Sequence, residues 1–252
     1  MSQRKEAKGE KQMNGQFIQG IRIEWNLIGA KSYLRNIEAL NSLQELMFKK
    51  PVTFFVGENG SGKSTLLEAI AVSAGFNPEG GTKNYSFSTY DSHSELCDAV
   101  RLVRGYNRPG SGYFLRAESF YNVATKEKEY SDFAHPSERY HEKPHGESFL
   151  ALAQKYFKGG GLYLLDEPEA ALSPQRQLTM LAEIYECAKH GAQFIVVTHS
   201  PILLGLPGAE ILTLDEGTVH PCGYEDTDSY IVTRMFINNR EMILRRLLSS
   251  EV

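Results

Sequence analysis

One short stretch, Gly57-Glu58-Asn59-Gly60-Ser61-Gly62-Lys63-Ser64, constrains this chain more than any other. It fits the pattern GxxxxGK[ST], which has meaning only between a strand and a helix. Both flanks are present. Val52–Val56 is a run of Val, Thr and Phe expected to form a buried strand, and Lys63–Ala74 has helical spacing closed by Gly75 and the turn Asn77-Pro78. In such a loop, glycines let successive backbone N–H groups curl around phosphate oxygens, and the helix N-terminus adds its dipole and free donors. Lys63 is expected to reach the β- and γ-phosphates of a nucleotide. The Ser64 hydroxyl is expected to ligate Mg²⁺, and Thr65 completes the loop.

Two further strand ends carry chemistry. Leu162–Leu165 is apolar throughout and delivers Asp166-Glu167 at its carboxyl end, where open α/β sheets bind ligands. Asp166 is expected to hold Mg²⁺, directly or through water, and Glu167 to polarise an attacking water. Phe194–Val197 is the second such strand. It is followed by Thr198-His199-Ser200-Pro201, which places His199 to contact a γ-phosphate.

Strands alternating with helices predict an α/β fold with a mostly parallel central sheet. Helices are expected over Glu147–Phe157 and after Ser173-Pro174, which reads as an N-cap followed by proline at the first helical position. Ile21–Trp25 reads as a strand, Leu96–Arg104 as helical, and Tyr113–Ala117 as a strand. Ile37, Leu40, Leu43 and Leu46–Met47 have helical spacing. Ile211–Leu214 with Thr218–Val219 reads as a hairpin, and Asp228–Leu248 as a closing helix. Residues 1–16 are Lys, Glu and Gln rich and read as a disordered tail, leaving 17–252 as one domain.

Composition narrows the function classes. A net charge of −4 argues against a nucleic-acid coat protein, so any DNA contact would need a local cluster such as Arg101, Arg104 and Arg108. Three isolated cysteines, Cys97, Cys187 and Cys222, form no CxxC pair and suit a reducing, cytoplasmic compartment. The longest apolar region, Phe194–Leu214, is broken by His199, Pro201 and Pro207, so no membrane insertion is expected. His135, His141 and His145 include a zinc-compatible spacing but have no cysteine beside them and read as loop histidines. Trp25 and Tyr33 are candidates to stack on adenine, with core packing the alternative.

Gly57–Thr65, Asp166–Leu172 and Thr198–Ser200 resemble, in this order, the Walker A, Walker B–D-loop and H-loop of the ABC-type P-loop NTPases. The wording is most similar to the soluble RecF/SMC-like branch, and more narrowly to a family of short stand-alone bacterial AAA/ABC ATPases. The runs Val52–Pro78, Phe114–Thr125, His145–Leu150, Leu162–Gln177 and Gln193–Leu204 carry the likeness. It implies a P-loop fold with an antiparallel β portion near the N-terminus and a small helical insertion before His145. It implies Mg²⁺-dependent ATP hydrolysis. It also implies a signature segment at His145, Gly146, Glu147 and Ser148 that meets the ATP of a second subunit, so that a homodimer sandwiches two nucleotides. The usual signature serine position holds Pro144, and Ser173 stands where transporter cassettes carry Asp. No Q-loop glutamine is evident, which makes Glu118 its candidate surrogate at the metal. The implied output is a conformational switch acting on a protein or DNA partner, in DNA maintenance or defence. A slow-turnover, nucleotide-gated interaction module is the alternative. A transporter energy subunit and a P-loop kinase fit less well.

Overall fold

The computed structural model describes residues 15–83, 94–116 and 145–248, without the side chains of 145–149, 152 and 171. Its strands are β1 (Ile18–Ile23), β2 (Glu45–Met47), β3 (Val52–Val56), β4 (Val100–Arg104), β5 (Ser111–Arg116), β6 (Gly161–Asp166), β7 (Gln193–Val197), β8 (Glu210–Thr213) and β9 (His220–Pro221). Its helices are α1 (Glu38–Asn41), α2 (Lys63–Ser73), α3 (Leu96–Ala99), α4 (His145–Tyr156), α5 (Pro174–Lys189), α6 (Pro201–Leu204) and α7 (Asp228–Leu248).

The fold is α/β with two sheets. The larger has the order β5-β6-β7-β3-β8-β9. Its first five strands run parallel and β9 returns antiparallel to β8. The smaller, β2-β1-β4, is antiparallel throughout.

Both faces of the larger sheet are covered, which is why its central strands read as unbroken apolar runs. The two-residue period then sorts their side chains between two cores. Phe55, Leu162, Leu164, Ile195 and Val197 face one, with α2 and the antiparallel sheet. Phe54, Tyr163, Leu165, Phe194 and Val196 face the other, with Met180 and Ile184 of α5. Tyr163 keeps its hydroxyl satisfied there by donating to the carbonyls of Tyr156 and Lys158 and accepting from the Lys158 N–H.

Several expectations are corrected. The helical reading of Leu96–Arg104 holds only for α3. From Val100 the chain becomes β4, and all five of its residues pair with β1. The sequence V-R-L-V-R is rich in β-branched valine and alternates over its first three residues, and a strand is available to pair with it. Leu46 and Met47 likewise lie in β2, so the helical spacing there yields only the single turn of α1. Trp25 leaves β1 for a short 3₁₀ turn. Ser173 does precede α5 with Pro174 at its first position, but its side chain makes no capping bond. The closing helix α7 has the expected outer limits but is broken by a kink at Asn239 (φ −131, ψ 29), and none of its residues is buried. No helix among the described residues is long and apolar enough to cross a membrane. Glu118, His135, His141, Pro144 and the segment expected as a helical insertion lie outside the described residues.

Candidate nucleotide site

The carboxyl ends of β3, β6 and β7, neighbours in the sheet, bring the three motifs together. β3 feeds the Gly57–Gly62 turn, and α2 begins at Lys63. Two glycines of the turn are required by space as well as conformation. Gly57 has φ +138, and a Cβ there would lie 2.8 Å from Asp215 Oδ1. Gly62 has φ +95, and a Cβ would press to 2.7 Å from Leu40 Cδ1. A side chain at either position would push apart the walls that hold the loop.

Lys63 is 5% exposed and folds back over the turn, where its Nζ donates to the carbonyls of Gly57 and Glu58 at 2.6 Å each. Burial lowers its pKa, and Asp215, Glu167, Asp166 and Glu58 raise it in opposition. Four carboxylates thus act electrostatically on this ammonium group.

Ser64 and Asp166 meet although far apart in sequence: the Ser64 hydroxyl donates to Asp166 Oδ1 at 2.9 Å. A hydroxyl and a carboxylate oxygen side by side at the start of a helix form the oxygen pair that Mg²⁺ takes alongside phosphate oxygens. The residues present therefore fit the ion. Arg116, in register with Asp166 on the adjacent strand, lies behind this pair. Its Nη1 donates to Glu68 Oε2 at 2.6 Å, and its Nε lies 3.9 Å from Asp166 Oδ2.

Glu167 follows directly. Its backbone is left-handed, with φ 49 and ψ 54, and its N–H donates to the Val197 carbonyl at 2.9 Å. Beyond β7, the His199 N–H donates to Glu169 Oε1 at 2.6 Å, while the buried His199 Nε2 makes no hydrogen bond. Ser200 Oγ caps the turn of α6, accepting from Ile202 and Leu203, and donates to Gln177 Oε1 at 2.6 Å. Gln177 Nε2 in turn donates to the Leu172 carbonyl. The segments after β6 and β7 are thereby tied to each other.

A cleft of about 1070 Å³ opens beside Gly57, Glu58 and Asn59, with His199 and Asp215 on its walls. Asp215 escaped the sequence reading. It accepts the Glu58 N–H at 2.8 Å and the Thr213 hydroxyl at 2.9 Å, pinning the first turn of the loop to the end of β8. Arg116, Glu68 and Glu169 were missed for the same reason: the contacts depend on strand order. The only signal for Asp215 was its position just past a buried run.

The remaining candidates fall elsewhere. The backbone of His145–Ser148 forms the first turn of α4, and the side chains of these residues are outside the described set. Trp25 donates its indole N–H to the Leu43 carbonyl and packs on the core, and Tyr33 is exposed with its hydroxyl donating to Ser94. Of the basic cluster, Arg101 pairs with Glu24 and Arg104 donates to the Ser73 carbonyl. Cys97 is buried beside Glu68, and its thiol is pushed up to about 12, mainly by that burial.

Comparison with known proteins agrees with this geometry. Residues 31–131 match a family described as "AAA domain", and residues 148–205 match one described as "AAA domain, putative AbiEii toxin, Type IV TA system". The first contains the glycine loop; the second contains Asp166, Glu167 and His199. No curated protein sequence matches the chain. Among solved structures, the SMC head domain from Thermotoga maritima is similar at 17% identity and a TM-score of 0.44, over 82% of this chain and 100% of that one. The SmcHead bound to the C-winged helix domain of ScpA is similar at 17% and 0.47, over 82% and 98%. The ATP-binding cassette MJ1267 is similar at 15% and 0.46, over 89% and 97%. The two AAA-domain matches fall on the segments that build this site, the strand–loop–helix at Gly57–Ser64 and the acidic end of β6, and the arrangement is that of a P-loop nucleotide site.

Proposed function

We propose that this chain binds Mg-ATP between its glycine loop and the end of β6, hydrolyses it, and uses the bound nucleotide to close two copies head to tail. The observation that carries the reading is the Ser64–Asp166 contact, which joins the two motifs at one point beside Lys63. Backbone N–H groups of Gly60, Ser61 and Gly62 and the start of α2 receive the phosphates. Lys63 exchanges its loop carbonyls for phosphate oxygens. Ser64 and Asp166 would hold Mg²⁺, which when bound would supply positive charge against the phosphates. Glu167 orients water and accepts its proton, and His199, with Nε2 buried and unpaired, offers that nitrogen to the γ-phosphate. Glu118 is the proposed further contact to the metal.

The first turn of α4, at His145–Ser148, is the proposed contact with the nucleotide of the second copy, through its backbone N–H groups. Disulfide trapping tests this. With Cys187 and Cys222 replaced by serine and Glu167→Gln to hold the nucleotide, Asn59→Cys and Ser148→Cys should cross-link between chains. Yield with ATP should exceed that with ADP by roughly tenfold or more, the scale of a modest coupling between ligand and closure. Equal yields would refute the sandwich. The slow-turnover, interaction-gating alternative uses the same site. It draws support from the family description matched at residues 148–205, and phosphate release with and without a partner separates the two readings.

A further inference from the structure

Behind the glycine loop, four side chains close a ring. The Ser64 hydroxyl donates to one oxygen of Asp166, Oδ1, at 2.9 Å. The other oxygen, Oδ2, lies 3.9 Å from Arg116 Nε. Arg116 Nη1 donates to Glu68 Oε2 at 2.6 Å. Glu68 stands four residues after Ser64 in α2, so the two share one face of that helix and complete the circuit. The side chains of Arg116, Glu68 and Asp166 are only 22%, 13% and 11% exposed, so none of the three is free to turn into solvent. The pair is fixed from outside as well. Arg116 Nη1 also donates to the Pro78 carbonyl, and the Cys97 thiol lies 3.9 Å from Glu68 Oε1.

An ion pair in this place is a poor device for stability alone. Both charges are taken out of water, and an apolar contact of similar volume between α2 and β5 would hold the fold as well or better. One donor is also left unused. Arg116 Nε is buried and makes no hydrogen bond, since 3.9 Å to Asp166 Oδ2 is an ion-pair distance and too long for one. A bare guanidinium beside a cation site would repel the cation. Glu68 cancels that charge at 2.6 Å, so Arg116 reaches Asp166 as half of a neutral pair. What such a pair contributes is orientation. Carboxylates that hold a metal are themselves held by outer partners, which set the direction in which the free oxygen points.

We infer that Arg116, held by Glu68, is a positioning residue for Mg²⁺: it fixes the Asp166 carboxylate through Oδ2 and so keeps Oδ1 at Ser64, where the two oxygens would hold the ion. The inference rests on the nucleotide and metal reading proposed above. Arg116 and Asp166 are register partners on adjacent parallel strands, so the sheet sets their separation. Glu68 ties that separation to α2, the helix that carries Ser64. The ring therefore fixes the strand-borne and the helix-borne oxygen relative to each other.

Titration calorimetry of the full chain with ADP, once with Mg²⁺ and once with EDTA, tests this without turnover. The ratio of the two affinities reads the metal alone. Arg116→Met with Glu68→Gln removes both charges at similar volume and leaves the local net charge unchanged. The Mg²⁺ enhancement of ADP binding should fall roughly tenfold, the lower end of what loss of an outer partner costs a metal site. ADP affinity in EDTA should stay parental. Arg116→Lys keeps the charge opposite Glu68 but lacks the planar fork, and it should lose the enhancement as well. Circular dichroism verifies the fold of both variants. A double variant that keeps the parental ratio would overturn the assignment, as would one that loses affinity equally with Mg²⁺ and with EDTA, the mark of a structural role. Arg116→Lys with the full enhancement would overturn it too, by assigning the effect to charge rather than to orientation. A parent that binds ADP equally in Mg²⁺ and EDTA would remove the metal reading, and one that does not bind ADP would remove the nucleotide reading. Either result ends this inference with it, so the parent and the variants report the two failures separately.

Discussion

Lys63→Ala is expected to lower nucleotide affinity by roughly 100-fold or more while leaving the fold intact, the scale of removing one partner from a buried charge pair. The reason lies as much in what surrounds Lys63 as in what it would bind. Asp215, Glu167, Asp166 and Glu58 all act on this ammonium group. With alanine in place, an anionic triphosphate would enter a site whose nearest charges are carboxylates. The side chain lies over the carbonyls of Gly57 and Glu58, so its removal leaves the core behind the loop untouched. Titration calorimetry with ATP reads the effect directly, and unchanged affinity in a folded variant would remove the nucleotide assignment.

Glu167→Gln should separate binding from cleavage. The amide has the size of the carboxylate and can still hydrogen-bond, but it accepts a proton poorly. A general base of this kind is worth about 10²–10⁴-fold in rate. The variant is therefore expected to bind ATP as the parent does and to release phosphate slower by that factor. Ser64 and Asp166, which the substitution leaves in place, would still hold the metal, so the loss should fall on turnover alone. A variant that hydrolyses ATP at the parental rate would move the base to another residue, with Glu169, already hydrogen-bonded to the His199 N–H, the first to examine.

The three motif segments were legible because each follows a strand buried on both faces, and such strands announce themselves as short unbroken apolar runs. Val52–Val56, Leu162–Leu165 and Phe194–Val197 lie in β3, β6 and β7, with every residue of those strands buried. The order of strands in the sheet was not legible, and the supporting residues depend on it. Asp215 reaches the loop because β8 lies beside β3, and Arg116 reaches Asp166 because β5 lies beside β6. Leu96–Arg104 misled because its helical beginning is real, while a distant strand, β1, decides the rest. The limits of α7 were readable from its composition, but its exposure was not. Periodicity reports an apolar face without saying whether anything in the same chain covers it.

Glu167 sits in a backbone conformation that only glycine and, less readily, asparagine or aspartate adopt without cost. For other residues the left-handed region costs on the order of 1–2 kcal/mol. Folding and chemistry therefore want different residues at this position. Glu167→Asn should melt no lower than the parent and yet lose turnover, a comparison that thermal unfolding and phosphate release would make together. A lower melting temperature would show that the carboxylate serves the fold after all. If the expectation holds, random substitution filtered for thermal robustness alone would drift away from glutamate here. The carboxylate would then be kept by what it does to water, at the expense of the segment that holds it.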